Sequence, residues 1–495
     1  MSPTEVADRA APADVLDSTA AGGLIIRGGV LRIGSYVGVV ALSVISTALL
    51  TRHLGAVRFG QYVTVISLVS IVSVVTDAGM SNLGTREFAV RHGPDRDALM
   101  RDLLGLRVAL TLAGVALATA FAVLAGYDAA LLGGTVVASL ATVALVFQHT
   151  LSIPLAAELR LGTLALLDFA RQLLTVLAIV ALILGHAGVF ALLLVNLVVY
   201  ALLVLVTAAL MRGQISMRLE LRPRHWLSLL RLTVAFSLAT AVGTIYVYTA
   251  QIVASLVAGA HQSGLFAASF RVFVVANTVP GLLASTAFPL LARAARDDRE
   301  RLAYALQRIF EVSLILGVAM GLGVLGGAQF VLAVIAGPKF AGATPVLHIL
   351  GVAMIASFVL SGWSFALLSM RRYAGLLLVN AAAFLVSVSL TLALAAAHGA
   401  QGAAVAVLCG ELTLAGGYLF VLVRGRPELR PRLAVLGKVA IAAAPAAAIA
   451  LALGLPSLVR TLLALAVYGL LIAVSRALPR ELTELLPRPR RARSG

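Results

Sequence analysis

Apolar runs of about twenty residues, separated by short polar or arginine-bearing segments, recur along almost the whole chain. A helix needs about twenty apolar residues to cross the hydrocarbon core of a bilayer, whereas a membrane β-barrel shows short alternating segments. The pattern predicts fourteen helical spans, at about 28–50, 61–81, 104–125, 131–153, 164–184, 188–210, 232–255, 264–288, 310–335, 345–368, 373–396, 402–423, 438–454 and 458–475. Several links, such as 185–188 and 397–402, are so short that the helices they join must run antiparallel. The expected class is an all-α polytopic membrane protein.

The polar positions then set orientation. Counting alternate connections, one face collects Arg86, Arg91, Arg101, Arg212, Arg293, Arg371, Arg424 and most other arginines. The opposite face holds only Arg52, Arg58, Lys339 and Arg460. Basic loops stay in the cytoplasm, so both termini are expected there. One missed span would scramble this alternation.

An internal repeat divides the spans. Gly55, Gly60 and Tyr62 follow the first apolar run, and Gly259, Gly264 and Phe266 follow the seventh, 204 residues later. Each copy is succeeded by a charged stretch, Asp95 to Leu99 and Asp298 to Leu302. Repeats of this length in apolar helices are how many secondary transporters are built. Six spans per repeat keep the two copies in the same orientation, which places a pseudo-twofold axis along the membrane normal. The expected plan is a cytoplasmic tail at 1–23, a first six-helix lobe at 24–211, a linker at 212–231 and a second lobe at 232–423. A basic linker at 424–437, two extra helices at 438–476 and a basic tail at 477–495 complete it. The mixed segments 82–103 and 289–308 are expected to lie flat on the inner membrane surface.

Composition agrees. The chain is 61% hydrophobic and 12% charged, with a mean hydropathy of +1.03. The net charge of +17 sits at the ends of apolar runs, a topology signal and a contact for anionic headgroups, so nucleic acid is not an expected partner. The first 23 residues carry Glu5, Asp8, Asp14 and Asp17 and lack the basic start and apolar stretch of a secretory signal. Cys409 is the single cysteine and lies within an apolar run, where it reads as a packing residue. No Gly-x4-Gly-Lys-Ser/Thr loop for ATP is present, and no cofactor is expected. A membrane glycosyltransferase would need acids in an outer loop, and only Asp128 qualifies.

The segment Thr51, Arg52, Leu54, Gly55, Phe59, Gly60 and Tyr62, followed by Asp77, Gly79 and Thr85-Arg86-Glu87, resembles the opening signature of polysaccharide-biosynthesis flippases. These are the Wzx-type members of the multidrug/oligosaccharidyl-lipid/polysaccharide exporter superfamily. The second half is similar through Gly264, Phe266, Pro280, Pro289, Gly337, Phe340, Pro345 and Leu350, and the resemblance spans roughly residues 24 to 423. It implies two six-helix bundles in a V around a cavity that opens alternately to either face. It implies flipping of an undecaprenyl-pyrophosphate-linked oligosaccharide in the bacterial cytoplasmic membrane, beside polysaccharide polymerase and glycosyltransferases. A cation-coupled multidrug exporter and a lipid II flippase are the alternatives in the same superfamily.

Ionisable groups inside spans are the candidates for function, because each is costly unless paired or wet. Arg271 lies about 10 Å inside span eight, at 1.5 Å per residue. Its planar fork suits a pyrophosphate; snorkelling or pairing with a buried carboxylate would be structural alternatives. The resemblance adds that lipid II flippases carry cavity arginines, one of them in the corresponding helix. Arg32, inside span one, and Arg52, at its outer end, are further substrate-binding candidates, with snorkelling and a structural role as their respective alternatives. Gln251, Tyr248 and Asn277 offer amide and hydroxyl groups to a sugar, or to neighbouring helices. Carboxylates are absent between Glu220 and Asp297 and between Glu311 and Glu411, so an anionic substrate fits better than a cationic drug.

Overall fold

The computed structural model describes the backbone of residues 19–77, 79–213, 215, 220, 223–452, 454–475 and 477, with side chains at most positions from residue 34 onward. The two terminal tails predicted from sequence fall almost wholly outside the described residues. Within the described residues the regular structure is entirely helical.

Fifteen α-helices follow in order. They are α1 (Thr19–Asp77), α2 (Met80–Val90), α3 (Pro94–Leu124), α4 (Ala129–Leu151) and α5 (Ile153–Ala157). Then come α6 (Leu161–Leu184), α7 (Val189–Leu210), α8 (Pro223–Val257), α9 (Ala260–Ala276) and α10 (Thr278–Asp297). The chain continues through α11 (Arg299–Ile335), α12 (Thr344–Ser369), α13 (Tyr373–Val423), α14 (Ala434–Ala452) and α15 (Ser457–Val474). Among the described residues eleven stretches are long and apolar enough to cross a membrane. Two of them bend back at a left-handed glycine, Gly55 (φ 68°) in α1 and Gly399 (φ 56°) in α13, so each makes two crossings. The apolar part of α8, Ala241–Val257, supplies one more, which restores the fourteen-span plan. The bundle has two lobes, with α14 and α15 packed outside the second against α11.

Boundaries differ from the sequence reading in an informative way. The helix α1 begins at Thr19, inside the segment read as a tail. The charged stretches do not form flat helices of their own, apart from the short α2. Pro94 occupies the first turn of α3 with Asp95 and Asp97, where a missing N–H and a negative charge are both favourable. Asp298 caps α11, its carboxylate accepting from the Arg301 amide at 2.9 Å. The segment 289–308 is thus divided between the end of α10 and the first turns of α11, and 82–103 between α2 and the first turns of α3. Leu99, Met100, Leu103 and Leu104 are buried there, so packing against α4, α5 and α7 outweighs a surface position.

Among the described residues three large cores hold the bundle, beside two smaller clusters around Val65 and Leu68. One lies within the first lobe around Leu103, Leu151 and Leu155. A second lies within the second lobe and joins α14 and α15 to it through Phe310, Trp363 and Tyr468. The third crosses between lobes, uniting Leu50, Phe59, Phe266, Phe340 and Leu347. In lipid, apolar burial alone does not bring helices together, so close approach at small residues and buried polar bonds must do so. Gly326 and Gly327 of α11 against Thr461 of α15 are one such approach.

Candidate functional site

The two copies of the glycine repeat pack against each other. A Cβ on Gly264 would stand 1.9 Å from the Ala56 carbonyl oxygen, and one on Gly60 would stand 2.9 Å from the Gly264 nitrogen and 3.1 Å from the Ala260 oxygen. Ala56 faces Gly264 as Ala260 faces Gly60, so the contact follows the repeat's own pseudo-symmetry. Gly259 (φ 76°), like Gly55, makes the left-handed turn that aims the next helix into this crossing.

Polar bonds fasten the same end. The Thr51 hydroxyl donates to the Ile335 carbonyl at 2.7 Å. Arg52 Nη2 donates to the carbonyls of Val334 at 2.7 Å and Ala333 at 3.2 Å, satisfying the last turn of α11. Phe59 meets Phe340 edge-on at 6.2 Å. Arg52 is thus engaged with a helix end, consistent with the structural alternative raised for it. Gln251 is fully buried beneath the crossing, with Nε2 donating to Ser263 Oγ at 3.0 Å and reaching Thr64 Oγ1 at 3.5 Å. In this conformation it bridges the lobes and is closed to a ligand.

Arg271 behaves differently. It projects from α9 across the gap to the first half of α1, where Nη2 donates to Ser43 Oγ at 2.7 Å and Nε to Thr47 Oγ1 at 3.3 Å. Its side chain is exposed, and the tyrosines within electrostatic reach are Tyr248 and Tyr62. Among the described residues no carboxylate pairs with it. Two of its five N–H donors are held by neutral hydroxyls, and three remain. An anion would bind more strongly than the hydroxyls it displaces, because it adds the attraction of opposite charges to bonds whose donor is already charged. Tyr248 lies within this electrostatic reach, whereas the side chain of Arg32 lies outside the described residues.

Asn277 ends α9, and Pro280 in the first turn of α10 keeps the two helices from merging. Its Nδ2 donates to Ser357 Oγ at 3.3 Å, and Ser357 in turn donates to Glu411 Oε2. Glu411 Oε1 accepts from the Tyr246 hydroxyl at 3.1 Å. This carboxylate is 4% exposed and bonded to hydroxyls alone. Glu411 falls within the apolar run predicted at 402–423, but nothing in the sequence points to Ser357 as its partner.

The first lobe has a second buried cluster. Arg107, 1% exposed, pairs with Asp77 and donates to Ser81 Oγ at 2.9 Å and Thr150 Oγ1 at 3.0 Å. Asp77, the last residue of α1, is therefore half of an interhelical ion pair. Asp168 and Arg171 pair on one face of α6 at 3.7 Å, as their spacing predicts. Glu87 pairs with Arg91 at 3.1 Å and not with its neighbour Arg86. The structure thus sets Tyr248 within electrostatic reach of Arg271, and leaves Arg52, Gln251 and Asn277 committed to protein partners.

Comparison with known proteins agrees with this geometry. The sequence model of a family described as polysaccharide biosynthesis protein matches residues 49–345. Among solved structures, a lipid II flippase, MurJ, in an inward closed conformation is similar with a TM-score of 0.77 at 13% identity, over 92% of this chain and 100% of that one. An inward-facing multidrug resistance MATE family transporter of the MOP superfamily gives 0.64 at 14% identity, over 81% and 98%. A MOP superfamily transporter from Pyrococcus furiosus, described as having a binding pocket of reverse polarity, gives 0.54 at 16% identity, over 81% and 95%. No curated protein sequence matches the chain. At these identities the solved structures speak for the fold.

Proposed function

The chain belongs to the polysaccharide biosynthesis protein family, and from that premise we propose that it is a flippase for an undecaprenyl-pyrophosphate-linked oligosaccharide. It works by alternating access in the bacterial cytoplasmic membrane, with both termini in the cytoplasm, and supplies cell-surface polysaccharide synthesis alongside polymerase and glycosyltransferases. The observation that carries this reading is Arg271, an exposed guanidinium between the lobes held only by the Ser43 and Thr47 hydroxyls. Its free donors suit a pyrophosphate, and Tyr248 beside it offers a hydroxyl and a ring face to sugar. Arg32, earlier on the same helix as Ser43 and Thr47, is the second cation assigned to this path.

Glu411 is the one observation that favours a cation-coupled exporter, since a carboxylate inside a span commonly serves a cation. It is sealed by Tyr246 and Ser357, and Arg271 would repel a cationic drug. Translocation of a labelled undecaprenyl-pyrophosphate oligosaccharide in proteoliposomes separates the readings. Wild type is expected to flip it, with Arg271→Ala slower by about tenfold to a hundredfold and Arg271→Lys between them, because lysine keeps the charge but loses the fork. Uptake of cationic dyes with no lipid-linked sugar flipped would overturn the proposal.

A further inference from the structure

Near the arginine-rich ends of the second lobe, two apolar grooves run along the outer surface on either side of one ring. One, of about 570 Å³, lies between Leu419, Phe420, Val423 and Leu433. The other, of about 630 Å³, lies between Leu378, Phe420 and Val421. Phe420 is 64% exposed and forms the ridge between them. Arg424 lines both grooves and lies over the Phe420 ring, 6.0 Å from its centroid. Arg430 lines the first groove. Gly425 (φ 75°) turns the chain sharply after α13, which brings Arg430 back beside Arg424.

The charge here is uncompensated. Arg371, Arg424, Arg430 and Arg432 are exposed, and among the described residues no carboxylate pairs with any of them. Glu428 is the only acid in the connection. Arg372 is already occupied, donating to the Val421 carbonyl and, at 3.4 Å, to those of Leu422 and Arg424 at the end of α13. A basic site at a helix end with apolar grooves below it matches the shape and charge of an anionic lipid.

We propose that this surface is a binding site for an anionic diacyl glycerophospholipid of the cytoplasmic leaflet. Arg424 and Arg430 hold the phosphate above the Phe420 ridge, and one acyl chain lies in each groove. Two grooves meeting under one pair of arginines fit a lipid with two chains better than a polyprenyl phosphate with one. The proposal does not depend on what the protein carries.

The test is native mass spectrometry of the full detergent-solubilised chain with phosphatidylglycerol and phosphatidylcholine of matched acyl chains, and with undecaprenyl phosphate. Wild type is expected to hold phosphatidylglycerol at least tenfold more tightly than phosphatidylcholine. The Arg424→Gln/Arg430→Gln pair should lose tenfold to about thirtyfold of that affinity while leaving the phosphatidylcholine affinity unchanged. Equal binding of the two phospholipids by wild type would overturn the site, and needs no variant to fold. A preference kept by the double variant would overturn the assignment of the arginines. Tighter binding of undecaprenyl phosphate than of phosphatidylglycerol would overturn the diacyl occupant.

Discussion

Replacing Gly264 by alanine tests whether the glycine crossing holds the lobes in this conformation. The added Cβ would stand 1.9 Å from the Ala56 carbonyl oxygen and 2.5 Å from its carbon. Both atoms are backbone, so no rotamer relieves the clash, and reaching an ordinary separation of about 3.4 Å needs the helices to part by about 1.5 Å. That movement stretches the Thr51–Ile335 and Arg52–Val334 bonds and loosens the Phe59–Phe340 contact. Overpacking of this kind costs about 1–3 kcal/mol. If the lobes separate as bodies in the alternative conformation, that energy is spent only in the joined state. The ratio of joined to separated molecules should then fall roughly 5- to 150-fold, at 1.4 kcal/mol per factor of ten. The assay is pulsed electron spin resonance between labels at Ala130→Cys and Ala397→Cys, two exposed positions on different lobes, in a Cys409→Ser background. The distance distribution should broaden toward longer values in Gly264→Ala. Gly60→Ala should act in the same direction but less, its closest contact being 2.9 Å. Gly469→Ala, which meets nothing within 4 Å, should leave the distribution unchanged. An unchanged distribution and unchanged melting temperature in Gly264→Ala would refute the reasoning.

Other outcomes follow from single side chains. Arg107→Ala leaves Asp77 without its partner; the several kcal/mol of a fully buried pair must be discounted because the Asp77 side chain is 37% exposed, giving about 2 kcal/mol. The melting temperature in detergent should drop, and adding Asp77→Asn should restore part of the loss in a double-mutant cycle. Glu411→Gln keeps an acceptor and should cost under about 1 kcal/mol, whereas Glu411→Leu leaves the Tyr246 hydroxyl only the Val407 carbonyl at 3.3 Å and leaves Ser357 without its acceptor, and should cost about 1–3 kcal/mol. Equal melting temperatures for the two Glu411 variants would show that the hydroxyls find other partners.

Much of the architecture is legible because the bilayer simplifies it. Every backbone group must be bonded within its own helix, so span number and lobe pairing follow from apolar length and the glycine repeat. The glycines at 60 and 264 even mark which surfaces meet, since small residues are what close helix approach requires, while those at 55 and 259 mark the turns before them. The site is less legible because its partners are distant in sequence. Ser43 and Thr47 lie more than 220 residues from Arg271, and hydroxyls on an apolar helix bond to their own backbone often enough that their pattern carries no signal. Thr47 does both, donating to the Ser43 carbonyl at 2.9 Å while accepting from Arg271. Gln251 shows the reverse limit: an amide in a span reads the same whether it lines a cavity or, as here, sits sealed under a helix crossing.

The helix that receives Arg271 is also the helix that fastens the lobes. Ser43 and Thr47 lie one to two turns before Thr51 and Arg52 on α1, and Gly60 follows Gly55 on the same helix. Arg271 therefore contributes two of the hydrogen bonds that join the lobes, and it is also the group best placed to take an anion. A ligand shifts a conformational balance only through a difference in its affinity for the two states. An anion that replaces Ser43 and Thr47 as the partner of Arg271 removes those two bonds from the joined state. At about 0.5–1.5 kcal/mol each, that amounts to about 1–3 kcal/mol, similar to the cost of Gly264→Ala and of the same sign. Such an anion favours separation at this end without touching the glycine crossing. Under the proposed function the two hydroxyls would link substrate occupancy to lobe movement, and a guanidinium locked instead to a carboxylate would lack that response, because an anion could not displace a partner of its own charge so readily.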